Sequence, residues 1–211
     1  MTNSLLDSLA KERLVWLPDI GVGYYPVTAQ PYDGSYWDKY RNLDRTPTGE
    51  KLTAARVALV RKYLKPKQDQ QRVVVDVGIG GGRFVEEMDC CGMDVNPAAV
   101  EWLYNHNKLV DPALIPVAAL TFWDSLEHIH EPSGLLDNAR EWVFVSCPIF
   151  DNIGHIKRSK HFKPEEHCWY FTRGGIEEFM QAHGFGLVEA NRMEEEAGRE
   201  DIGTFVFKRI A

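Results

Sequence analysis

An α/β architecture, a mostly parallel doubly wound sheet with helices on both faces, is predicted by three features of this chain. Strand-like and helical runs alternate from about residue 72 onward, the signature of parallel strands joined by crossover helices. The stretch VVVDVGIGGGRF, Val73 to Phe84, follows a β-prone run with four glycines in five positions. The last two strand-like runs have no helical run between them, so they are expected to pair antiparallel.

The elements follow in order. Residues 1–35 mix Pro, Gly and aromatic residues, with a short helix expected over 4–14, and read as an N-terminal extension that helps to cover an active site. Residues 36–211 read as one domain, because 211 residues at 44% hydrophobic content suffice for one substantial core. Two helical patterns flank Thr46-Pro47; in the second, Leu52, Ala55, Leu59 and Tyr63 recur at helical spacing and Pro66 ends it. Strands are predicted at 72–77, 90–95, 118–123, 142–147, 185–190 and 202–208, and helices at 83–88, 97–106, 133–140 and 173–183. Asn96 suits a helix N-cap, with Pro97 at the first helical position. KLVDP, residues 108–112, is the one candidate for a further strand between the second and third of these.

Net charge is −7, which disfavours general nucleic-acid binding. The cysteines Cys90, Cys91, Cys147 and Cys168 lack C-x-x-C spacing, so reduced thiols are expected and a zinc-cysteine site is not. The first residues carry early acids and no long apolar run, and nowhere do eighteen apolar residues run together. A cytoplasmic protein without a membrane span is expected.

A glycine-rich turn between strand and helix presents backbone N–H groups to a nucleotide or carboxylate. The fingerprint G-x-G-x-x-G fails, because the sixth position from Gly78 is Arg83, and no Gly-Lys-Ser/Thr follows to make a P-loop. The pattern that fits is D-x-G-x-G-x-G, with Asp76, Gly78, Gly80 and Gly82 in register. Here the chain resembles the class I S-adenosylmethionine-dependent methyltransferases, over about residues 36–208, with a Rossmann-like sheet. CCGMDVNPAAV resembles the second strand of that family, and LTFWDSLEHIHEP resembles the turn after the fourth strand in its small-molecule branch. The resemblance implies S-adenosylmethionine as cofactor. It places Asp94 on the ribose hydroxyls, and Asp76, Gly78, Ile79, Gly80, Gly82, Val95, Trp123 and Asp124 around the cofactor.

Methyl transfer from a sulfonium needs alignment and, for a hydroxyl or ammonium acceptor, removal of a proton. The sequence after Phe122 carries neither the N/D-P-P-Y/F of amino-methylating DNA enzymes nor a Pro-Cys nucleophile, so a small-molecule O- or N-acceptor is the expectation. An RNA or modified-nucleotide substrate, and a protein that binds the cofactor without turnover, are the alternatives. Segments at the carboxyl ends of the strands should line the acceptor site: Tyr36, Trp37 and Tyr40 from the first helix, and His161, His167 and Tyr170 from the long connection. Cys147 reads as a buried strand-end thiol, and the tip RMEEEAGRED as solvated acid. His128 is the candidate base, with Glu127 beside it, although His128 could equally pack the next helix. The acid-x-x-Glu-His arrangement of ubiquinone-pathway O-methyltransferases is similar to Asp124, Glu127 and His128, which keeps a divalent cation open without favouring it.

Overall fold

A computed structural model describes residues 13–26, 32–65 and 73–210; the helix expected over 4–14 lies almost wholly outside them. The chain enters through β1 (Val15–Leu17) and β2 (Val22–Tyr24), then α1 (Gly34–Asp44) and α2 (Pro47–Tyr63). The alternating part follows: β3 (Val74–Val77), α3 (Arg83–Met88), β4 (Cys91–Met93), α4 (Pro97–Asn105) and β5 (Val117–Trp123). A 3₁₀ turn, Leu126–His128, leads to α5 (Ser133–Asn138), β6 (Ala139–Pro148) and α6 (Ile153–Arg158). The chain closes with β7 (Trp169–Phe171), α7 (Arg173–Ala182), β8 (Phe185–Asn191), α8 (Met193–Glu196) and β9 (Ile202–Arg209).

The main sheet has the order β4-β3-β5-β6-β9-β8. β4, β3, β5 and β6 run parallel, and β9 is inserted antiparallel between β6 and β8. Alternation explains why the sheet needs covering on both sides. Val75, Val77, Leu120, Phe122, Val143, Val145, Phe205 and Phe207 join one buried cluster. Their neighbours Val74, Ala119, Phe144 and Val206 join the other, with Val57, Val60, Phe84, Val85 and Leu103 from the helices. Successive strand residues point to opposite faces, so each run feeds two cores at once.

KLVDP contributes only a single bridge, Gly92 to Leu109, alongside β4. Two prolines, Pro112 and Pro116, follow closely, and a strand beyond the bridge would lack their donors. The sequence expectation missed a second sheet, β1-β2-β7, because its strands are three residues each and carry no alternation long enough to detect. That sheet ties the N-terminal hairpin to the long connection: Thr172 N–H donates to Gly21 O at 2.8 Å.

The carboxyl ends of β3 and β5 open side by side, because the chain crosses from β3 outward to β4 and then returns to β5 on the other side. A crevice at this reversal is where ligands of such sheets bind.

Candidate active site

The glycine loop fills the exit of β3. Gly78 has φ +77°, and a Cβ there would lie 2.7 Å from the Cβ of Ser125, so only glycine lets this loop lie against the turn after β5. Ser125 hydroxyl donates back to Val77 O. Gly81 is constrained differently: a Cβ would sit 2.5 Å from Asp44 Oδ2 and 2.6 Å from Arg41 N, because α1 lies directly on the loop. At Gly80 the nearest neighbour of a Cβ would be Tyr40 Cδ1 at 3.7 Å, leaving that side of the loop free of close packing.

Asp94 stands beside this loop at the end of β4. Its Oδ2 accepts from Ile79 N–H and its Oδ1 from Asn96 N–H, both at 2.8 Å. Burial raises its pKa, partly offset by these amides. The next residue, Val95, holds its apolar side chain 72% exposed. Asn96 caps α4 through Ala98 N–H and donates to Asp33 O at 2.9 Å, which pins the start of α1 over the loop. An acceptor carboxylate beside a glycine loop and an uncovered apolar side chain fit an adenosyl group: the first its ribose hydroxyls, the second its base.

Other residues assigned to the cofactor sit deeper. Asp76 is 1% exposed and accepts a 2.6 Å hydrogen bond from Thr121 hydroxyl. Burial pushes its carboxyl up to about 7 against the pull of Thr121 and Arg56. Its surroundings are the sheet interior, which favours the neutral acid. Trp123 is buried against Phe84, under the Arg56 guanidinium at 5.1 Å from its ring.

Asp124 belongs to an ion cluster that sequence reasoning missed. Arg199 grips it with two nitrogens at 2.7 and 3.0 Å, and Arg56 reaches it at 3.2 Å. Both arginines also hold Glu194, which is fully buried, each at 2.7 Å. Despite burial, the two guanidiniums keep Asp124 below the usual carboxylate range. The hairpin tip therefore does not end as solvated acid: Glu194 and Arg199 fold back onto the end of β5 because two cations and two carboxylates there neutralise one another. No local spacing announces it, since Glu194 and Arg199 are five residues apart with Arg199 beyond α8, and α2 supplies Arg56 from far away in sequence.

Tyr36 and Tyr40 of α1 form a ladder with Tyr32, which precedes the helix. The rings of Tyr32 and Tyr36 lie 4.8 Å apart, and those of Tyr36 and Tyr40, one helical turn apart, 4.5 Å. Tyr32, absent from the sequence expectation although it shares this spacing, reaches His128 Nδ1 at 3.4 Å. Burial pushes Tyr32 up to about 12, with the charges of Glu166 and Asp94 adding to it. Trp37, expected to face the acceptor, turns inward instead: it is buried in the core beside Trp102 and anchors α1. Tyr170 is corrected likewise, since its ring is fully buried among Phe150 and Phe162.

The turn after β5 brings the remaining groups together. Cys168 N–H donates to Glu127 O at 2.8 Å, which draws the long connection against the turn and sets His167 beside His128, ring centroids 4.6 Å apart. Glu127 and His167 are 2% and 3% exposed. Burial, reinforced by the Asp124 charge, drives Glu127 well above its ordinary value. Burial lowers His128 and, helped by the neighbouring His128, pushes His167 down to about 2. His161 lies apart from them, its Nε2 at 3.1 Å from Glu200 O. Cys147 is a buried free thiol, as its sequence position suggested.

The profile of a family described as a methyltransferase domain matches residues 50–190, more than half of the chain. The chain belongs to the methyltransferase domain family. As such it is an enzyme with the class I methyltransferase fold, and solved structures agree in architecture. Magnesium protoporphyrin IX methyltransferase of Synechocystis PCC 6803, with bound S-adenosylhomocysteine, aligns at TM-score 0.58 and 12% identity, over 83% of this chain and 95% of that one. A 1,6-didemethyltoxoflavin N1-methyltransferase of Burkholderia thailandensis aligns at TM-score 0.55 and 14% identity, over 94% and 100%. The N-methyltransferase NodS of Bradyrhizobium japonicum aligns at TM-score 0.54 and 11% identity, over 80% and 99%. Comparison with curated proteins gives no match. Within this methyltransferase, no described helix is long and apolar enough to cross a membrane.

Proposed function

We propose that this methyltransferase moves the methyl group of S-adenosylmethionine to an oxygen or nitrogen of a small molecule. The observation that carries the reading is the side-by-side placement of the glycine loop, the Asp94 carboxylate and the exposed Val95 at the sheet's reversal point. Gly78, Ile79, Gly80, Gly82, Asp94 and Val95 would hold the cofactor. When bound, S-adenosylmethionine supplies a methyl group already activated by its sulfonium.

The chain's own task is then alignment. Tyr36 and Tyr40 flank the open side of the loop, and Tyr32 links it to Glu127, His128 and His167. An acceptor seated between this ladder and the turn meets the His128 imidazole, a neutral base for a hydroxyl or protonated amine that must lose a proton. Glu127 and His128 are the groups we assign to the reaction, and His167 and the tyrosines to acceptor binding. The small-molecule acceptors and the bound S-adenosylhomocysteine named for the aligned structures support the same reading. We assign residues 36–211 to the catalytic unit and the β1–β2 hairpin to its cover.

The test is a thermal shift. S-adenosylhomocysteine should raise Tm and NAD should leave it unchanged, because a ligand stabilises only the state it binds. Equal shifts with both would sink the proposal. Labelled cofactor incubated with fractionated metabolite extract would then identify the acceptor by the product that gains the label.

A further inference from the structure

Glu127, His128 and His167 present one carboxylate oxygen and two imidazole nitrogens, all within 4.8 Å of one another. Two of these side chains carry a polar atom with no hydrogen-bond partner among the described residues: Glu127 Oε2 and His167 Nδ1. Both residues are more than nine-tenths buried. Buried polar groups are rarely left unpaired, since desolvation is then uncompensated. Two such atoms on side chains of one cluster call for a ligand that accepts electron pairs.

We propose that Glu127, His128 and His167 form a binding site for a divalent cation of the zinc or cobalt class, with coordination positions left open beside Tyr32. Two imidazoles and one carboxylate make up a known catalytic zinc set, and imidazole favours such ions over magnesium or calcium. Asp124 is not among the ligands, because Arg56 and Arg199 occupy its oxygens.

The scaffold is built for precision. His128 N–H donates to Ser125 O at 3.1 Å, closing the 3₁₀ turn. Glu127 O takes both Cys168 N–H and Cys168 Sγ, at 2.8 and 3.2 Å, fixing the backbone next to His167. Donors around a tetrahedral zinc lie roughly 3.4 Å apart, so small side-chain rotations close the set on the ion. A cation here would act as Lewis acid for an acceptor hydroxyl, preferably one with a second oxygen donor alongside. That role rests on the methyl-transfer reading; the cation site does not.

The full-length protein, stripped with EDTA and desalted, would be titrated with CoCl₂ and followed by visible d–d absorption. One equivalent of Co²⁺ should bind, and ZnCl₂ should displace it. His167→Ala and Glu127→Gln should each weaken Co²⁺ by at least about tenfold, since even residues that only orient ligands contribute this much. Where a variant fails to fold, paramagnetic broadening of imidazole resonances in the unaltered protein locates the ion, with His128 and His167 broadened and the other histidines sharp. Absence of a stoichiometric band, or a band with unaffected variants or unaffected resonances, overturns the site. S-adenosylhomocysteine thermal shifts run in parallel: a shift without Co²⁺ binding overturns this inference alone, and Co²⁺ binding without a shift overturns the proposed function alone.

Discussion

Asp94 and Asp76, two acids on neighbouring strands, show how burial separates roles that look alike in sequence. Asp94 lies at a strand end with backbone amides on both oxygens and lone pairs to spare for ribose hydroxyls. Asp94→Ala should weaken S-adenosylhomocysteine by roughly ten- to 150-fold, the equivalent of one lost charged hydrogen bond of about 1.5–3 kcal/mol. Calorimetry on Asp94→Asn, which keeps one acceptor oxygen for the loop, separates ligand loss from loop loss; unchanged affinity in both variants would remove Asp94 from the site. Asp76 is enclosed by β3 and β5, with Arg56 lowering its pKa and Asp94 and Asp44 raising it. Its pKa rises from 3.8 to about 7 on folding, so the native state holds a proton that the unfolded chain has lost. Stability from this group is complete below pH 4 and is lost as pH climbs through about 7, by up to about 4 kcal/mol. Asp76→Asn, which still accepts from Thr121, should flatten that decline in urea melts between pH 5 and 8; an equally steep curve would show that Asp76 is not its source.

Among the elements, the longest were the most legible. α2 and α7 start at Thr46 and Thr172, each capping an amide three residues on, and β5, β6, β8 and β9 announced themselves by their apolar runs. The short pieces β1, β2, β7 and α8 were not legible, since three or four residues carry too little pattern and, unlike β3 and β4, no neighbouring glycine loop or Asn-Pro helix start marks them. α8 illustrates the cost of that blindness. Its run of glutamates reads as solvated surface, yet Glu194 is fully buried between Arg56 of α2 and Arg199. Removing one member of such a cluster strands the opposite charges. Glu194→Ala should therefore cost about 3–5 kcal/mol in chemical denaturation, far beyond the same change at the exposed Glu196. Similar losses at both positions would show that the cluster contributes nothing specific.

At the scale of the whole molecule, the β1–β2 hairpin is fastened to α7 by a near-contact of backbones. A Cβ on Gly175 would stand 2.0 Å from Gly21 O, so α7 and the hairpin turn meet with no room for a side chain. Gly175→Ala should push the hairpin off and lower stability by about 1–3 kcal/mol, as overpacking does. Limited proteolysis should then cut first between residues 13 and 26. Unaltered melting and cleavage would mean that the hairpin adapts freely.

The sequence by itself determined the alternating order of strands and helices, the glycine loop after β3, the acid at the end of β4 and the L-E-H turn after β5. All are local: apolar periodicity, glycine's access to positive φ and helix caps act over a few residues, and a single chain displays them. Which side chains meet across the crevice was decided by tertiary structure. Tyr32 reaches His128 from 96 residues away, and His167 arrives through a carbonyl of Glu127. Trp37 and Tyr170, aromatic like their neighbours, turned into the core because the space beneath α1 and behind β7 had to be filled. Burial then set the protonation of Asp76, Glu127 and His167, since the cost of a buried charge depends on everything packed around it and on nothing written beside it in the chain.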